Sequence, residues 1–158
     1  MKKVLAVFFV MGVLVCGGIE ETGRSPLDDL EDAVAGFLDS YFLAIETRDA
    51  ALLQDMYVAD GRFEWIEDGE IRYRSLDDVL AALASLPANA AIRTAYDGRE
   101  ITPVGTAGAR VSTRFWTVIG EGPSAFEFGG MMTMVLEDGP TGWQIVGGHT
   151  SSARQDGR

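Results

Sequence analysis

A chain of 158 residues can bury one real core and is too short for two ordinary domains. Its formal charge of −11 repels phosphate backbones and anionic lipid headgroups, which excludes nucleic acid as a partner class. A single cysteine excludes an intrachain disulfide, and one histidine with no spare cysteine speaks against a zinc site.

Residues 1–18 read as an export leader. Lys2 and Lys3 make a positive start, "VLAVFFVMGVLV" is an apolar run too short to span a bilayer, and Cys16-Gly17-Gly18 follows. "VLVC" resembles the lipobox of bacterial lipoproteins, whose cysteine is lipidated and becomes the new N-terminus. It departs at Val15, where Gly, Ala or Ser is usual. Cys16 is thus the candidate lipidation residue. The expectation is an exported lipoprotein facing the periplasm or cell exterior, touching the membrane only through its lipid anchor. The alternative is cleavage just after Cys-Gly-Gly and a soluble periplasmic or secreted product. Both lysines lie in the leader, so its removal takes the formal charge from −11 to −13.

Residues 19–26 are small, polar and without apolar period, and read as a linker to a domain over 27–152, with a tail over 153–158. Ser25, Pro26 and Asp28 are spaced as a helix cap, a first helical residue and a capping-box partner. Leu30, Val34, Phe37, Leu38, Tyr41 and Ile45 then recur at three and four residues, one apolar stripe. "RDAALLQDMYV" reads as a shorter helix capped by Asp49, with Leu52, Leu53 and Met56 inward. "GRFEWIEDGEIRYR" reads as a hairpin turning at Asp68-Gly69. "SLDDVLAALASLP" is a third helix with Ser75 as its cap, Asp78 three residues on and Pro87 past its end.

From residue 90 the apolar period changes from three-and-four to two. "AAIRTAYDGREITPVG", "AGARVSTRFWTVIG", "SAFEFGGMMTMVLED" and "GWQIVGGHTSS" are four long strands, separated by turns at 105–108, 120–123 and 138–142. Gly129-Gly130 and Gly147-Gly148 lie inside strands, where they mark a bend or a close backbone approach. Arg93, Arg110 and Arg114 sit among apolar strand neighbours, and are expected to pair across the sheet with Glu127 and its neighbours. Helices first and a strand meander after them predict an α+β domain: a curved antiparallel sheet wrapped around N-terminal helices, leaving a cone with an open end.

The motifs "Y-x-x-A-I-E-x-R-D", "L-x-x-M-Y-x-x-D-G-x-F-E" and the terminal "GWQIVGGHTSS", in that order, resemble the nuclear transport factor 2-like superfamily with its cystatin-like cone, and the SnoaL-like branch within it. The resemblance covers 27–152. It implies a pocket between the first helix and the concave face of the sheet, walled here by Phe37, Phe63, Trp65, Phe115, Met132, Met134 and Ile145. The fold hosts many activities, so function must come from the polar residues. The isomerases of this superfamily set an aspartate base against a tyrosine and a protonated aspartate. The match places Tyr41 at the tyrosine, Trp65 at the base with Glu64 beside it, and no acid in "GGMMTMV".

Histidine is the residue type most often used as a general base, and strand parity groups His149 with Trp143, Ile145 and Gly147 on the side facing the cone. Tyr41, His149 and Glu64 are therefore the candidate catalytic residues, with no metal and no cofactor. The leading expectation is an exported module that binds a small hydrophobic molecule or a partner. The alternative is a cofactor-free isomerase, hydrolase or dehydratase acting on a small apolar substrate in the cone. A homodimer formed through the sheet is a third.

Overall fold

The computed structural model describes residues 24–153. The leader, Cys16 and most of the linker and tail lie outside these residues. Helix α1 spans Pro26–Thr47. The Ser25 hydroxyl accepts from the Asp28 N–H while the Asp28 carboxylate accepts from the Ser25 N–H, so the capping box closes as its spacing requires. The helix ends where Arg48 turns left-handed and sends its N–H back to the last carbonyls. The Arg48 guanidinium then donates to the Pro87 and Ala90 carbonyls, tying this end to the chain that leads into the sheet.

Helix α2, Ala50–Gln54, is capped by Asp49, whose carboxylate accepts from the Ala51 and Leu52 N–H groups. Its five residues offer only a narrow inward face. Leu53 is buried, and Leu52, expected inward, is 49% exposed. Strands β1, Glu64–Glu67, and β2, Glu70–Tyr73, form the hairpin. Asp68 and Gly69 both take positive φ (49° and 91°), the geometry of the tight turn that suits twisted strands. Helix α3, Leu76–Ser85, follows with Ser75 as its cap.

Strands β3 (Ile92–Val104), β4 (Gly108–Ile119), β5 (Phe126–Gly139) and β6 (Gly142–Ser152) form the expected meander, with one short helical turn between β4 and β5. The six strands run in the order β2-β1-β6-β5-β4-β3 as one unclosed, curved sheet on the helices. One pair departs from the antiparallel expectation: β1 lies parallel to β6. A parallel neighbour needs a long crossover, and here the whole run from β2 to β5 supplies it.

Two irregularities decide which side chains face the helices. At Gly98 (φ 64°) β3 holds one residue more than β4 opposite it. At Val146 β6 holds one residue more than β5: Leu136 faces Ile145, yet Val135 faces Gly147. A bulge of this kind reverses the alternation beyond it. Leu38, Leu53, Met134, Leu136, Ile145, Val34 and Val111 form the centre of a continuous core between helices and sheet. Truncating any of the large ones to alanine should cost about 2–5 kcal/mol.

Candidate functional site

The inner face reads as rows across β4, β5, β6 and β1. Val111, Met134, Gly148 and Trp65 form one row; Thr113, Met132, Thr150 and Glu67 the next; Phe115, Gly130 and Ser152 a third. Beyond Ser152 β6 has ended while β3, β4 and β5 continue, and Phe128 and Phe126 extend the face toward the open end. Phe63, Trp65, Met132, Met134 and Ile145 belong to the buried core, and Phe37 and Phe115 pack against it. The seven expected wall residues are thus packed into the core between helices and sheet or against it. Gly148 is glycine for a stated reason: a Cβ there would collide with the Trp65 ring and come within 2.9 Å of the Thr133 carbonyl oxygen.

Tyr41 lies inside, 8% exposed, and its partner is Tyr57. The two hydroxyls are 3.2 Å apart. Tyr57 is held there because its segment is stitched to β6: the Ile145 N–H donates to the Met56 carbonyl and the Val58 N–H to the Ile145 carbonyl. Phe42 meets Tyr41 edge-on, and Phe63 meets Tyr57 likewise. Burial disfavours the phenolate, pushing Tyr41 up to about 12 and raising Tyr57 further, where the neighbouring Tyr41 adds to burial. At any physiological pH both are neutral donors, not bases.

His149 does not join them. Its placement corrects the expectation from simple parity: the bulge at Val146 turns Gly148, Thr150 and Ser152 inward, and His149 outward into solvent. It sits beside Ile66 of β1 and Thr133 of β5. Glu64 also faces outward, opposite to Trp65 as expected, and pairs with Arg74 at 3.3 Å. Tyr41, Glu64 and His149 therefore do not converge.

Three polar residues of the inner face stand outside the sequence expectations. Tyr57 belongs to the quoted motif and stands four residues after Leu53, so helical spacing could have identified it as inward, although α2 itself ends at Gln54. Glu67 is two residues beyond Trp65 on one strand, so parity alone could have identified it as inward. It is half-buried, with the Arg72 Nε at 3.6 Å, and burial raises its pKa more than Arg72 lowers it. Tyr73, opposite Trp65, is raised by burial and then by Glu67. Among the described residues no group of His, Cys, Asp and Glu is arranged to hold a metal. None of their helices is long and apolar enough to cross a membrane.

The arginine pairs also differ from expectation. Arg93 meets Glu121, just past the end of β4, at 2.9 Å, and Arg110 of β4 meets Glu100 of β3 across the sheet at 3.6 Å, so neither pairs with Glu127. Asp68, at the hairpin tip, accepts from the Ser152 N–H (2.7 Å) and hydroxyl (2.8 Å), which hold its carboxyl below the usual range and clamp the end of β6.

With helices, curved sheet and inner tyrosine in place, residues 29–147 match the SnoaL-like domain. The chain belongs to that family. No curated protein matches it in sequence. The SnoaL-like domain is similar in structure to a conserved protein from Planctomyces limnophilus (TM-score 0.69, 16% identity, covering 79% of this chain and 97% of that one). It is similar to a nuclear transport factor 2-like superfamily protein from Salmonella enterica serovar Typhimurium (TM-score 0.68, 14% identity, 83% and 96%). It is also similar to a ketosteroid isomerase-like protein from Erwinia carotovora atroseptica (TM-score 0.60, 15% identity, 77% and 94%). At such identities the likeness speaks for the fold alone.

Proposed function

We propose that this SnoaL-like domain is an exported binding module, anchored through Cys16, that holds a small apolar molecule bearing one hydrogen-bond acceptor in the cone. The observation that carries the reading is the Tyr41–Tyr57 pair. Two neutral hydroxyls have two protons, and the bond between them uses one. The second proton remains for an acceptor, in surroundings of Phe37, Phe42 and Phe63 that favour an apolar ligand. A carbonyl or ether oxygen suits that donor. The separation of His149 and Glu64 from the pair supports binding over acid–base turnover.

Native mass spectrometry of the protein isolated from its own membrane fraction tests this. The expected species carries a diacylglyceryl-type mass on Cys16 and releases, on denaturation, an apolar oxygen-bearing molecule. Ligand-free protein that also takes up no naphthalene ketone would contradict the binding reading. A soluble product beginning beyond Gly17 would contradict the anchor.

A second reading has one observation in its favour. Glu67 is an inner-face carboxyl with a raised pKa beside Tyr73. A carboxyl of this kind is suited to moving a proton, with the tyrosine pair stabilising a developing oxyanion. Turnover that disappears in Glu67→Gln, in a protein that still binds its ligand, would favour it.

A further inference from the structure

Of the nine described arginines, seven make an ion pair and Arg48 donates to two backbone carbonyls. Arg114 alone has neither kind of contact among the described residues, in a chain with 24 acidic residues. It lines a cavity of about 370 Å³ where β6 stops and β4 and β5 run on. Phe115, Trp116 and Met131 line the same cavity, with Gly129, Gly130 and Ser151. Trp116 is 47% exposed and Met131 45%, two diagonal neighbours that make an apolar patch on the outer face. Gly129 has no room for a side chain because the Trp116 ring lies over it. That contact fixes the indole as one wall.

We propose that this cavity is a binding site for a small aromatic carboxylate, separate from the tyrosine pair and independent of it. The ring lies against Trp116 and Met131 on the outer face of the sheet, and the carboxylate meets the Arg114 guanidinium. A planar guanidinium matches a carboxylate with two parallel hydrogen bonds. The cavity is open to solvent on one side, so a flat ring rests against the indole with its other face exposed. Two other occupants fit less well. The tail beyond Ala153 reads Arg-Gln-Asp-Gly-Arg and supplies Asp156 but no apolar group for the rings. A second copy would have to bury roughly 800 Å² on each partner, far more than this notch offers.

Fluorescence titration of the mature chain with naphthoate and with neutral naphthylmethanol tests the proposal. Arg114 and Trp116 are both exposed, so Arg114→Gln and Trp116→Ser should fold. The expected result is that Arg114→Gln weakens naphthoate roughly ten-fold or more and leaves naphthylmethanol unchanged. Trp116→Ser should weaken both, while Leu27→Ser, in the other cavity at the start of α1, changes neither. Naphthoate binding that is absent from the native chain, or unaffected by Arg114→Gln, overturns the proposal. Binding that emerges only in Asp156→Asn assigns the cavity to the chain's own tail and overturns it too. A dimer that ignores naphthoate and dissociates in Arg114→Gln assigns it to a second copy, with the same consequence.

Discussion

The hydroxyls of Tyr41 and Tyr57 are 3.2 Å apart, and each is the other's hydrogen-bond partner. One comes from the middle of α1 and the other from a segment stitched to the last strand, so the bond joins the helical layer to the sheet.

Removing either hydroxyl leaves the other buried without that partner. Tyr41→Phe and Tyr57→Phe should each destabilise the fold by about 1–3 kcal/mol. The double substitution should cost less than the sum of the two, because the abandoned hydroxyl is gone as well. Urea denaturation of the three variants checks this through the coupling.

The same pair makes the fold sensitive to alkali. Tyr41 keeps its proton in the folded state up to about 12, whereas an unfolded tyrosine loses it near its usual value of about 10. Between those values the folded state binds more protons, so stability is present below about pH 10 and falls as pH rises through the window. Tyr57, raised in the same direction, adds to the loss. Stability curves from pH 9 to 12 should fall less steeply in Tyr41→Phe than in the native chain.

His149 faces solvent on the far side of the sheet from that pair. His149→Ala should change stability by less than about 0.5 kcal/mol and leave ligand affinity unaltered. A large loss of binding in this variant would show that the outer face takes part.

Gly148 lies where the hairpin packs against β6, with the Trp65 ring where a side chain would stand. Gly148→Ala should destabilise by about 2 kcal/mol or more through overpacking. Adding Trp65→Leu should recover part of that loss, measured in the same denaturation series.

What was legible in the sequence was local. The cap at Ser25, the turn at Asp68-Gly69 and the change of period near residue 90 are each carried by a few neighbouring residue types, and each has the expected form. The interior glycines announced their close contacts for the same reason. The inward face of β6 was not legible beyond Ile145. The bulge at Val146 follows from how β5 and the 56–58 segment grip that strand, a relation between distant parts of the chain. Alternation carried through it put His149 on the wrong face and left Thr150 unnoticed. Tyr57 stands four residues after the inward Leu53, so its face was legible; what was not is its seat against β6, made by two backbone hydrogen bonds between distant parts of the chain.

The claim that the tyrosine pair offers one proton to a ligand oxygen is tested most directly by the infrared carbonyl stretch of prodan, a naphthalene ketone, bound to the domain. The account predicts a bound carbonyl shifted to lower frequency than in hydrocarbon solvent, and loss of the shift in the Tyr41→Phe/Tyr57→Phe chain. A bound ketone whose stretch is the same in both proteins would contradict it.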